Sequence, residues 1–195
     1  MRTVAILLLF FCSTGFADDV VKIPLDQIWA NRMPGTLNIN DWDTHPSLIL
    51  SIQNAIGFPP KDGEADPAFA VQGESQDALR EAHAVIVDKK KPRGIFPAGK
   101  KVSVVFFTHE TGPYVHLYKV ERRGKNIDIH YKFVPHEEED TERHIALIPL
   151  GKLPVGEYSV NIIRSKKSEG SKSRQPSDEV ARRIVCRPFS FTVSE

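Results

Sequence analysis

The residues of this 195-residue chain with the widest reach in chemistry are its seven histidines. Five of them, His109, His116, His130, His136 and His144, fall in the C-terminal half. Three or four converging imidazoles, backed by carboxylates or carbonyls, hold zinc or copper. Spacing closes no such motif here. His136-Glu137-Glu138-Glu139-Asp140 begins like His-Glu-x-x-His, but it ends on an aspartate, and Pro135 ahead of this acidic run predicts a loop. Tyr114, His116 and Tyr118 share one side of a predicted strand. His116 and His130 are therefore the candidates for a metal, set against the simpler reading of solvated strand histidines.

Nucleophile patterns stop short of a site. Gly73-Glu74-Ser75-Gln76-Asp77 has the first glycine and the serine of Gly-x-Ser-x-Gly but not the second glycine, so a hydrolase elbow is not supported. Glycine-rich phosphate loops and paired cysteines are absent from the sequence. Arg122-Arg123, in a predicted turn, reads as a soluble hairpin tip sooner than an anion site. The two cysteines are Cys12 and Cys186; Cys12 falls in a leader-like segment, which leaves Cys186 as a small buried hydrophobe.

That leader is Arg2, the apolar run Val4 to Phe11, and Gly15-Phe16-Ala17, which suits signal peptidase. The run falls short of the roughly 20 residues a membrane span needs. Two phenylalanines before Cys12 disfavour lipidation. The expectation is a cleaved signal over 1–17, a chain beginning at Asp18, export to the periplasm or medium, and no membrane span thereafter. Loss of Arg2 leaves 25 basic against 25 acidic residues, a balance unsuited to nucleic acid.

The elements that must position these side chains are mostly strands. Lys101 to His109, Tyr114 to Glu121, Asn126 to Val134, His144 to Leu150, Gly156 to Arg164 and Phe189 to Val193 are separated by turn signals such as Thr111-Gly112-Pro113. Ala84 to Val87 is read as a further, first strand after a short helix over Glu74 to Ala84. Residues 18–82 read as a helix and loop region, with helical turns at Leu25 to Trp29 and a helix capped near Thr44 that carries Leu48, Ile49, Ile52 and Ile56. Val102 to Phe107 is apolar on both faces, so that helical region must cover one of them. Between Ser165 and Arg187 lies a long lysine- and serine-rich connection, with a short helix expected over Ser177 to Arg183.

Leu153-Pro154-x-Gly156-x-Tyr158 resembles the tyrosine corner of immunoglobulin-like and fibronectin-like sandwiches, in which the phenol bonds backbone near the turn. Tyr158, Gly156 and Pro154 are the structural residues this implies. A second resemblance is carried by Ile23-Pro24-Leu25-Asp26-Gln27-Ile28-Trp29-Ala30, Met33-Pro34-Gly35-Thr36, Val134-Pro135-His136-Glu137 and Ile148-Pro149-Leu150-Gly151-Lys152-Leu153-Pro154. These segments are similar to exported hypothetical proteins of planctomycete-type bacteria, a resemblance that implies no site residues.

The sequence thus predicts a mainly β protein, an immunoglobulin-like two-sheet β-sandwich of about seven strands over 83–195, with the 18–82 region packed on it. A non-catalytic binding or interaction module without a cofactor is the functional expectation, its partner another protein or a cell-envelope component. The alternative is a zinc- or copper-binding or hydrolytic extracytoplasmic protein built on His116 and His130.

Overall fold

The computed structural model describes residues 19–31, 33, 35–41, 46–56, 67–111, 113–135, 141–164 and 187–195. Strands dominate it. They are β1 (Val20–Ile23), β2 (Trp29–Ala30), β3 (Leu37–Asn38), β4 (Ala68–Gln72), β5 (Ile95–Pro97), β6 (Lys101–Thr111), β7 (Pro113–Arg123), β8 (Asn126–Pro135), β9 (Thr141–Lys152), β10 (Gly156–Arg164) and β11 (Phe189–Ser194). Two helices, α1 (Pro46–Ala55) and α2 (Ser75–Ile86), lie between β3 and β5.

The strands form two facing sheets. One has six strands in the order β1-β7-β8-β10-β11-β5, the other five in the order β3-β2-β9-β6-β4. Alternation makes the core. Val115, Leu117, Val120, Ile127, Ile129, Val160 and Phe191 point inward from the first sheet and meet Val102, Val104, Phe106, Ala146 and Ile148 from the second. The opposite set on the second sheet, Phe69, Val71, Val105, Phe107, Ile145 and Leu147, is also buried, under Ile49 and Ile52 of α1 and Ala78, Leu79, Ala82 and Ile86 of α2. The two-sided apolar strand β6 has this helical layer as its second cover. The fold is a three-layer arrangement in which one sheet is covered twice and the other once.

Two features differ from the sequence expectation in a way that physics explains. Ala84 to Val87 is not a strand: α2 runs on to Ile86, so the boundary expected at residue 83 falls inside that helix. The buried stripe Ala78, Leu79, Ala82 and Ile86 repeats at helical spacing, and this packing overrides the β preference of Val85 and Ile86. The helix ends where Lys89 turns left-handed at φ 57° and the Lys90 N–H bonds back to the Ala84 carbonyl. The 18–82 stretch also contributes β1 to β4 to the sheets, with 3-10 turns at Leu25–Gln27, where helical turns were expected, and at Ile39–Asp41.

Pairing departs from the purely antiparallel sheets of an immunoglobulin domain. β10 runs parallel to β8, with Val160 opposite Ile127 and Ile162 opposite Ile129. The turn into β10 is held by Tyr158, whose ring is buried and whose hydroxyl donates to the Pro154 carbonyl at 2.8 Å. At Gly156, φ 153°, a Cβ would meet only the far end of the exposed Lys125 side chain, which can swing aside, so the backbone conformation and not space is what favours glycine there. Tyr131 is fully buried with its ring 5.7 Å from that of Phe106.

The expected signal segment, the Thr44 cap with Trp42 and His45, the His136 to Asp140 run, and the 165–186 connection with Cys186 and its expected helix lie outside the described residues.

Candidate functional site

Among the described residues, groups capable of chemistry gather at a place on each outer side of the sandwich. The first is a cleft of about 210 Å³ where the helical layer stops short of the five-stranded sheet. Its lining is Gln27, Trp29, Glu74, Ser75, Ser103, Leu147 and Pro149. Local geometry explains the convergence. β2 lays Trp29 opposite Leu147, and β9 lays Pro149 opposite Ser103. A bulge next to that pair, with Gly151 at φ 70°, twists the end of β9.

The floor on the α2 side is a tight strand-to-helix turn. Gly73 sits at φ 101°, where a Cβ would lie 2.9 Å from that of Asp77, and Ser75 opens the helix at φ 50°. Three bonds pin the turn: Gly73 N–H to the Lys101 carbonyl at 2.7 Å, the Ser103 hydroxyl to the Gly73 carbonyl at 2.7 Å, and Gln72 N–H to Glu81 Oε2 at 3.0 Å. Glu74 is held by Lys101 Nζ at 2.6 Å. Ser75 thus resembles an elbow serine in backbone conformation, but no histidine is among the described lining residues to activate it. What remains is an indole, an amide, a carboxylate and two hydroxyls around a volume suited to one small ring.

The second place is the outer face of the six-stranded sheet, on which no described element packs. Ligand atoms of Glu121, Asp128 and His130 all lie within 4.8 Å of one another there. Asp128 and His130 are two apart on β8 and share a face by strand alternation, and Glu121 stands directly opposite Asp128 on β7. Glu121 reaches that face through a bulge. Up to Leu117 the even residues of β7 point outward; the register then slips between Leu117 and Lys119, so Val120 turns into the core and Glu121 outward. Glu121 is 3% exposed and accepts bonds at Oε1 from Lys119 at 2.9 Å and Arg123 at 2.7 Å. The Lys119 bond first, then Arg123, holds its carboxyl below the usual range against the opposing effect of burial. Asp128 Oδ1 accepts from Asn161 at 2.9 Å. The His130 ring lies tilted against that of Tyr118, centroids 5.9 Å apart at 52°, and its Nε2 is shielded from solvent without a hydrogen-bond partner.

Of the two histidines singled out from sequence, His130 belongs to this cluster and His116 does not. His116 faces Lys132 across the β7–β8 pair. Burial first, and the Lys132 charge second, push its imidazole below 6.5. A depressed folded value means the neutral form is favoured by folding, so stability is full above pH 6.5 and falls as pH drops through the folded value. An NMR titration is expected to place the His116 midpoint below 6.5, and Lys132→Ala to move it upward; a midpoint at or above 6.5 would contradict the geometry.

His144 is buried, its Nδ1 3.5 Å from the Asn31 carbonyl, and belongs neither to the cleft lining nor to the Glu121 cluster. Arg123 spends its guanidinium on Glu121, while Arg122 stands opposite Ile127, so the pair forms no joint anion site. Asp128 carried a sequence signal, its spacing from His130. Glu121 carried none, because unbroken alternation along β7 places it inside.

Comparison of the chain with protein-family models, with curated proteins and with solved structures finds no match.

Proposed function

We propose that this chain is an exported, non-catalytic binding module that takes a small polar ligand with one apolar face, a pyranose ring being the simplest such ligand, in the cleft beside Trp29. The leader-like Arg2 to Ala17 segment supports export. The observation that carries the reading is the lining itself. A sugar ring presents C–H groups to an aromatic face and hydroxyls to carboxylates and amides, and Trp29, Glu74, Gln27 and Ser75 offer that combination around about 210 Å³. The absence of an imidazole beside Ser75 in the described lining favours binding over hydrolysis.

Trp29 supplies its own reporter. Titration with a panel of mono- and disaccharides is expected to give a saturable change in tryptophan emission for at least one of them, lost in Trp29→Ala and weakened more than about tenfold in Glu74→Gln. Calorimetry checks the affinity without the indole signal. A panel that produces neither heat nor a saturable change would sink this reading, as would binding that survives Trp29→Ala unaltered.

The metal-binding alternative is favoured by a separate observation, the Glu121, Asp128 and His130 cluster, and is independent of the cleft.

A further inference from the structure

The outer face of the six-stranded sheet holds an imidazole nitrogen that is closed off from water and makes no hydrogen bond, His130 Nε2. Such an atom is costly unless something occupies the position in front of it. Carboxylate oxygens of Glu121 and Asp128 lie within 4.8 Å of a nitrogen of the same His130 ring. We infer that Glu121, Asp128 and His130 form a site for one borderline divalent transition-metal ion, with zinc as the type case.

The donor set suits that class. One neutral imidazole and two carboxylates match zinc and its neighbours better than calcium or magnesium, which prefer all-oxygen shells. The existing bonds leave room for an ion. Both cations on Glu121 fall on Oε1, and the Asn161 bond falls on Asp128 Oδ1, so each carboxylate keeps a second oxygen outside these bonds. Lys119, Arg123 and Asn161 hold the carboxylates in place as supporting groups hold metal ligands elsewhere. The β7 bulge brings Glu121 onto the face that carries His130; without it the cluster would lose its third member.

Charge sets the character of the site. Lys119 and Arg123 already balance the two carboxylates, so a bound dication leaves a net positive centre. Such a centre binds reversibly and draws an anionic or water ligand to its open positions, because three protein donors do not fill a zinc shell.

The test is zinc itself, titrated into the full chain purified without a histidine tag and stripped with chelator. One ion per chain is expected by calorimetry. Asp128→Asn, which keeps its shape, and His130→Gln are each expected to weaken uptake by more than about tenfold. His116→Ala, on the same face but outside the cluster, should bind as the wild type does. In the wild-type protein the ring ¹⁵N resonances of His130 should shift on zinc addition, a readout that requires no variant to fold. Absence of zinc uptake overturns the assignment, and so does uptake that survives Asp128→Asn and His130→Gln or a His130 resonance that zinc leaves unmoved. Since the cleft variants touch none of these groups, either result leaves the ligand reading at Trp29 separately decided.

Discussion

Tyr158→Ala is expected to destabilise the protein by about 3 to 5 kcal/mol, the range for truncating a fully buried aromatic ring. The ring is 1% exposed and stacks on Phe191, centroid to centroid 5.3 Å at 13° between planes, so its loss opens a cavity between β10 and β11. Tyr158→Phe keeps the ring and removes only the 2.8 Å bond to the Pro154 carbonyl. That variant should lose about 1 to 3 kcal/mol, toward the low end because Pro154 is itself exposed and water can reach its carbonyl. Burial also pushes the Tyr158 phenol above 10.0, so ionisation in alkali costs the folded state, and stability present below pH 10 is lost as pH rises through the folded value. Tyr118→Phe is the proper control: at 38% exposed it should stay within about 0.5 kcal/mol of wild type. Urea melts of the three variants decide the matter, and a Tyr158→Phe protein as stable as wild type would show that the corner bond contributes nothing.

Asn31→Ala is the other substitution with a large expected effect. Asn31 is 4% exposed and continues the β2 pairing with its side chain: its Oδ1 accepts from Ile145 N–H at 2.6 Å while its Nδ2 donates to the Arg143 carbonyl at 2.7 Å. Its own N–H bonds the Ile145 carbonyl at 3.2 Å, so one residue splices the short β2 onto β9 through three bonds. In alanine the Ile145 N–H is left buried and unpaired. The Arg143 carbonyl fares better, since Gln53 also donates to it at 3.3 Å. The expected loss is about 2 to 3 kcal/mol. Amide hydrogen exchange localises it: the Ile145 N–H should lose protection out of proportion to its neighbours. Uniform loss across β9 would instead mean that Asn31 acts through general packing.

The strand-rich half was legible because its strands are long. Gly156 to Arg164 was read with the bounds the structure shows, and Lys101 to His109 or Asn126 to Val134 differ from it only at their ends, since nine or more residues display alternation clearly. Strands β2 and β3, two residues each, cannot display a period at all; they exist because β9 offers an edge. The candidate cluster was half legible. His130 stood out by type, whereas Glu121 was hidden by the bulge at Tyr118, which has no signature in residue types, and its partnership with Asp128 is a matter of register. The cleft was less legible still. Trp29, Glu74 and Pro149 come from three distant segments, and what brings them together is the point at which the helical layer ends.

The pairing of β1 with β7 and of β2 with β9 fixes the timetable on which the molecule can assemble. Val20 meets Arg123 and Trp29 meets Leu147, each roughly a hundred residues further along, so the earliest segments to leave a ribosome wait longest for their partners. The five-stranded sheet closes only when β9, Thr141–Lys152, is out, and the six-stranded sheet only when β11 follows. Until then its strand edges stay unpaired, which makes its final closure slow compared with a helical protein of the same length.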